Sequence, residues 1–297
     1  MFFDSRVRPA ALFFDVDGTL VWHDPDAATG ENIVSNPPSA EVYKAFYALA
    51  ANGHKAFICT GRPLSLVAQD LLDLKPAGLI TGAGATIVID GKIVYQNGIT
   101  RELLDQTLKA IFDVRAGVMY EGANLCVSLV PEAVPYEDFP GVATVHTIED
   151  FYVLAGDEVF DKISFMSSEV PALMGAWDFL GQHYTICDLG VGVGEMSAIG
   201  TDKGSGIHRA LEALARPGGA GTAPAVGGVA NAGNVAAVAY RTFAFGDSEN
   251  DLPMMRVVDY SVAMGNALDS VKQAASYVTA SVQEDGVPMA LRHFGLI

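Results

Sequence analysis

Along this chain, short apolar runs break off at polar or glycine-rich turns, and segments with helical periodicity follow them. Leu12–Phe14 runs into Asp15, Lys55–Cys59 into Thr60-Gly61-Arg62-Pro63, and Leu79-Ile80 into Thr81-Gly82-Ala83-Gly84. Further on, Thr242–Phe245 runs into Gly246-Asp247, and Tyr260–Met264 into Gly265-Asn266. Ala40–Ala51 repeats apolar residues at helical spacing and stops before Asn52-Gly53, a composition that suits a helix end. Strand alternating with helix predicts an α/β fold, a Rossmann-like parallel sheet core with helices on both faces.

The middle of the chain follows another rule. Thr86–Asp90 and Lys92–Gln96 are β-rich runs around Asp90-Gly91, a hairpin signal. Beyond them, to about residue 195, helical and strand patterns mix without another strand that ends in carboxylates. This predicts an inserted α+β domain over 86–189, with a discontinuous core over 1–85 and 190–297, and the hairpin itself fits either domain. Residues 216–238 are rich in Gly and Ala and almost uncharged, a composition that suits a loop within the core.

Charge narrows the partners. The 297 residues carry 18 Lys plus Arg against 35 Asp plus Glu, a net charge of −17, so nucleic acid and anionic membranes are not expected partners. Half the residues are hydrophobic, ample for a packed interior. No apolar run approaches the ~20 residues that span a bilayer, and Met1–Arg8 lacks the pattern of a secretory signal. Cys59, Cys126 and Cys187 form no CxxC pair and read as reduced thiols in a cytoplasmic protein.

Candidate chemistry starts at Asp15 and Asp17. In an extended backbone residues i and i+2 point the same way, so the two carboxylates would crowd one side unless a proton or cation intervenes. An all-oxygen set favours a hard cation, with Mg²⁺ the natural candidate. A plain Asp-Gly turn is the alternative. A calcium-binding EF-hand loop is excluded, because Leu20 stands where that loop needs Gly. Gly246-Asp247-Ser248-Glu249-Asn250-Asp251 is a second carboxylate cluster after a strand, and parallel strands of such sheets carry ligands at their carboxyl ends.

Two shorter motifs join them. Pro63 suits a first helical position, which would aim free N–H groups, Gly61 and Thr60 at the same edge, although Thr60 alone also reads as an ordinary cap. Lys203 precedes the periodic segment Ile207–Ala215, in a first helical turn where the macrodipole disfavours a cation by about a few tenths of a kcal/mol. That placement fits either a phosphate-neutralising cation or a solvated lysine. Gly190-Val191-Gly192-Val193-Gly194 lacks dinucleotide-binding spacing, and the six His residues show no metal-ligand spacing. His23 sits near the first motif and is a candidate substrate contact.

Taken in order, Asp15-Val16-Asp17-Gly18-Thr19, Thr60-Gly61-Arg62-Pro63, Lys203 and Gly246–Asp251 resemble the four motifs of the haloacid dehalogenase-like phosphohydrolases. The insert between the second and third motifs is similar to the type IIB cap of the Cof-like phosphatases. Val262–Ala267 and Glu284–Val287 also match that subgroup's C-terminal pattern. The Gly/Ala-rich stretch before the fourth motif and the long segment Trp22–Pro38 depart from it. The resemblance implies a Mg²⁺-dependent phosphatase of small phosphorylated metabolites, sugar phosphates or similar, with Asp15 as nucleophile forming an aspartyl-phosphate and Asp17 as acid and base. It implies that Thr60, Gly61 and Lys203 bind phosphate, and that Asp15, the Asp17 carbonyl and Asp247 bind Mg²⁺. Asn250 and Asp251 then support the metal, and Arg62 is a further substrate contact. A hexose phosphomutase and a non-catalytic phospholigand-binding module are the alternatives, and a monomer or small homo-oligomer is the expected assembly.

Overall fold

The computed structural model describes residues 8–22, 37–188, 192–216 and 240–297. In chain order the strands are β1 Ala10–Phe14, β2 Lys55–Cys59, β3 Gly78–Thr81, β4 Thr86–Ile89, β5 Lys92–Gln96, β6 Val118–Gly122 and β7 Cys126–Leu129. They continue as β8 Ala143–Val145, β9 Phe160–Met166, β10 Tyr184–Asp188, β11 Val193–Ala198, β12 Arg241–Gly246, β13 Tyr260–Ala263 and β14 Tyr277–Val278. Eight of them form one sheet in the order β14-β13-β12-β1-β2-β3-β4-β5. From β14 to β3 every pair is parallel. The strand order runs both ways from β1, so the gap between the ends of β1 and β12 is where such sheets hold ligands.

The central strands explain themselves. Ala10–Phe14 is wholly buried, with Leu12 and Phe14 facing one apolar cluster and Ala11 and Phe13 the other. A strand covered on both faces reads as a continuous apolar run, not an alternating one. The predicted helix Ala40–Ala51 covers the first face through Val42, Ala45, Phe46 and Leu49. Ser39 caps it by accepting from the Val42 N–H, and it stops where Gly53 takes a φ of +79°. The helix Lys203–Ala215 covers the second face through Ile207 and Ala210.

A second sheet has the order β10-β11-β9-β6-β7-β8 and is antiparallel except at β7–β8. Its own core holds Tyr120, Val127, Ile163 and Met196, covered by helices such as Arg101–Asp113 and Ile148–Ala155. The strand limits differ from the expected insert of 86–189. The hairpin β4–β5 is bonded antiparallel to β3 and so extends the parallel sheet. Conversely β11, expected in the core, pairs with β9 and β10 in the second sheet. Hydrophobic pattern marks a strand but not which sheet receives it. Residues 217–238 of the Gly/Ala-rich stretch, and His23, lie outside the described residues. Among the described residues no helix is long and apolar enough to cross a membrane.

Candidate active site

The carboxyl ends of β1, β2 and β12 deliver the predicted residues to one place. Asp15 follows β1 directly, and its N–H donates to the Phe245 carbonyl of β12 at 2.9 Å. Gly18, at φ +84°, turns the chain where any Cβ would collide with the Asp247 carboxylate. Only glycine combines that backbone angle with such a close approach. Asn266 braces the same turn, donating to the Gly18 carbonyl at 2.8 Å while accepting from the Val282 N–H at 2.9 Å.

Lys203 is the hub. Its side chain is buried, and Nζ lies 2.6 Å from Asp15 Oδ1 and 2.5 Å from Asp251 Oδ1. Asn250 Oδ1 is a third acceptor at 3.4 Å. Asp202 caps the helix in a reciprocal box with Ser205, which fixes Lys203 as the first helical residue. The helix start is pressed against Thr81-Gly82-Ala83-Gly84, because a Cβ on Gly84 would collide with the Asp202 carbonyl. Its burial and two buried carboxylate acceptors exclude a solvated lysine. Burial works against the charge, but Asp15 and Asp251 outweigh it and hold the Lys203 pKa well above the ordinary lysine value.

Asp17 turns elsewhere. Arg62 Nη2 lies 2.5 Å from its Oδ1, and Arg62 Nε donates to its Oδ2 at 3.1 Å. Each carboxylate of the first motif thus has its own cationic partner, so the expected crowding of Asp15 and Asp17 is relieved by two cations instead of one. Thr60 Oγ1 accepts from the Arg62 N–H at 3.1 Å, and the Thr60 N–H donates to the Ile80 carbonyl at 2.8 Å. The expected helix after Pro63 is absent. Pro63 precedes a single 3₁₀ turn, Leu64–Leu66, and the four-residue helix Gln69–Leu72 comes later. Thr60 and Arg62 therefore face the site as side chains, without a helix N-terminus behind them.

Asp15, Asp247 and Asp251 bring one carboxylate oxygen each within 4.8 Å of one another. Asp251 is committed already: Oδ1 takes Lys203, and Oδ2 takes the N–H groups of Asp247 at 2.9 Å and Ser248 at 3.1 Å. Asp15 and Asp247 are left to offer oxygen. Burial, then Asp251, Asp247 and Asp17, raise the Asp15 pKa well above the carboxylate range although Lys203 opposes them. Burial and then Asp251 push Asp247 up to about 7. Buried carboxylates that repel one another, with oxygen as the only donor, fit a hard divalent cation.

Three buried charged residues that no motif contained lie above this edge. Glu121 on β6, Lys162 on β9 and Glu195 on β11 sit on the face of the second sheet opposite its apolar core. Lys162 Nζ is 3.2 Å from Glu121 Oε2, 2.9 Å from Glu195 Oε2 and 2.9 Å from the Gly61 carbonyl. The available signal was a charge inside an apolar strand run, as in Phe160-Asp161-Lys162-Ile163-Ser164-Phe165-Met166.

A family model described as haloacid dehalogenase-like hydrolase matches residues 12–218 and 233–291. The chain belongs to the haloacid dehalogenase-like hydrolases. Bacillus subtilis YkrA, whose name assigns it provisionally to the phosphatases, is 28% identical to this hydrolase over 291 residues, 96% of this chain and 98% of its own. YwtE of the same organism, named a 5-amino-6-(5-phospho-D-ribitylamino)uracil phosphatase, is 26% identical over 93% of this chain and 94% of its own. The solved structure of the subclass IIB sugar phosphatase BT4131 is similar at TM-score 0.68 and 25% identity, over 97% of this chain and 100% of that one. BT1666 from Bacteroides thetaiotaomicron, at TM-score 0.72 and 20% identity over 100% and 99% of the two chains, shares the fold. This haloacid dehalogenase-like hydrolase is accordingly an enzyme of the phosphatase kind, with an acidic cluster of the sort that holds a metal in its family.

Proposed function

We propose that this hydrolase is a Mg²⁺-dependent phosphatase that cleaves a small phosphorylated metabolite, a sugar phosphate or similar, through an aspartyl-phosphate on Asp15. The observation that carries the reading is Lys203 held between Asp15 and Asp251 at the carboxyl edge of the sheet. A buried cation beside a carboxylate nucleophile supplies the charge compensation that phosphoryl transfer requires. The name of YkrA supports the phosphatase activity, and the likeness to the sugar phosphatase BT4131 supports the substrate class.

In this reading an Asp15 oxygen attacks phosphorus, and the bond from phosphorus to the leaving oxygen breaks. Asp17 gives that oxygen a proton, then takes one from the water that hydrolyses the aspartyl-phosphate, releasing inorganic phosphate. Arg62 keeps the Asp17 carboxyl aimed, while Thr60, Gly61 and Lys203 hold the phosphoryl oxygens. Asp15, the Asp17 carbonyl and Asp247 would hold Mg²⁺, with Asn250 and Asp251 in support. When bound, the ion neutralises phosphoryl charge and keeps the buried carboxylates ionised.

Residues 101–198 serve as the cap in this reading, seated over the edge and shaping the space for the leaving group. The unpaired Cys59 and Cys126, both buried, and Cys187 support a reducing, cytoplasmic setting. The test is phosphate release from a panel of sugar phosphates, nucleotides and phosphorylated cofactors with Mg²⁺, using wild type and Asp15→Asn. Wild type should turn over one class and Asp15→Asn none. Turnover by Asp15→Asn equal to wild type removes Asp15 as nucleophile.

A further inference from the structure

The cap reaches into the phosphate loop through one side chain. Lys162 is buried, on the middle strand of the second sheet, facing Glu121 across β6 in register and reaching Glu195 on β11. Ser164 fixes the other Glu121 oxygen by donating to Oε1. An ammonium has three N–H donors; one goes to Glu195 Oε2 at 2.9 Å, while Glu121 Oε2 at 3.2 Å contributes its charge without a hydrogen bond. A second goes to the Gly61 carbonyl of the core, at 2.9 Å.

That carbonyl belongs to the same peptide unit as the Arg62 N–H, and the Arg62 N–H donates to Thr60 Oγ1 at 3.1 Å. One end of a single peptide is therefore held by the cap, and the other end orients the hydroxyl beside the reacting phosphorus. With that N–H bonded to its oxygen, the Thr60 hydroxyl keeps its own hydrogen for another acceptor. A charge-assisted bond to a carbonyl also polarises the peptide and strengthens its N–H as a donor. A lysine that served only to neutralise two glutamates would have no need of a core carbonyl.

We propose that Lys162 is a positioning residue that sets the Thr60 hydroxyl as a phosphoryl donor through the Gly61–Arg62 peptide. This rests on the role given to Thr60 above. The glutamates hold the ammonium in place, and the seated cap completes the phosphate loop. Phosphoryl binding is thereby tied to the position of the second sheet.

The test is calorimetric binding of orthovanadate, a phosphoryl mimic, to the full chain with Mg²⁺, which needs no turnover. Lys162→Met alone leaves two buried carboxylates unpaired and can fail to fold, so K162M/E121Q/E195Q, which removes all three charges together, is measured beside it. The thermal unfolding midpoint of each variant checks the fold. The triple variant should bind orthovanadate about tenfold more weakly, the low end for a residue that supports a ligand-contacting group. Thr60→Val should lose a similar factor, and adding it to the triple variant should cost little more, because both act through one hydroxyl. A folded triple variant that binds as wild type, while Thr60→Val binds weakly, overturns the role of Lys162. Fully additive losses overturn it too. Unchanged binding by Thr60→Val instead overturns the role of Thr60, and with it this inference.

Discussion

Arg62 grips Asp17 by both carboxylate oxygens, with Nη2 at 2.5 Å and Nε at 3.1 Å. The guanidinium fork fixes the plane of the carboxyl as well as its position, which a point charge cannot do. Arg62→Lys keeps the cation and loses the fork. It should lower kcat about 10- to 100-fold, no more than the low end of the ~10²–10⁴ that a positioned acid–base group contributes, because the acid is misaimed and not removed. Steady-state kinetics and a pH–rate profile check this, and an unchanged kcat removes the fork from the account.

Metal removal should register in stability as well as in turnover. In the proposed reading Mg²⁺ would relieve the repulsion among Asp15, Asp247 and Asp251 in the folded chain only, and by mass action would stabilise it by about 2.7 kcal/mol at 100 times its dissociation constant. Differential scanning calorimetry with chelator and then with excess Mg²⁺ should show the midpoint rising. Asp247→Asn should shrink that rise and abolish turnover. A rise of the same size in Asp247→Asn places the ion elsewhere.

A pH effect should arise away from the reacting groups. Asp161 is buried on β9, where it accepts from Thr86 Oγ1 at 2.5 Å and Gln96 Nε2 at 3.0 Å, and burial pushes its pKa up to about 6. The folded chain thus binds this proton more tightly than the unfolded chain, so the contribution to stability is full below the unfolded value and is lost as pH rises through about 6. Between pH 7 and pH 5 wild type should gain about 1.4 kcal/mol relative to Asp161→Asn. Urea denaturation of both proteins at the two pH values measures the difference. No relative change contradicts the raised pKa.

Tyr120 carries a stability prediction of opposite sign to most core substitutions. Its ring packs edge-on against Phe151 and Phe160, but its hydroxyl is buried without a hydrogen-bond partner among the described residues. An unsatisfied buried hydroxyl costs about 1–3 kcal/mol. Tyr120→Phe keeps the ring contacts and should raise the unfolding free energy by about 1 kcal/mol. A loss of stability on urea titration would show that the hydroxyl is satisfied.

The sequence was most legible where local chemistry acts alone. Leu12–Phe14 and Lys55–Cys59 are strands because their apolar runs are long enough to bury both faces, and the capped start of Lys203–Ala215 is written in Asp202 and Ser205. Motif order also pointed to the residues gathered around Lys203. What stayed hidden depends on partners distant in the chain. Nothing local tells that β4–β5 will bond to β3, or that β11 will leave the core. Pro63 permits a helix but does not supply the packing that would sustain one, so only a 3₁₀ turn follows. Lys162, Glu121 and Glu195 became visible only as a set, because each by itself is an isolated charge in a strand.

The chain leaves the parallel sheet after Asn97 and returns at Thr201, and the Asn97 amide donates to the Thr201 hydroxyl at 2.9 Å. Outgoing and returning segments are therefore side by side, although about a hundred residues separate them in sequence. A stretch that leaves and returns at one such place can be lengthened, shortened or exchanged without re-threading the strands beneath it. New leaving-group preferences could be inherited by changing what lies between these two residues, so long as Lys162 keeps its place on the Gly61 carbonyl.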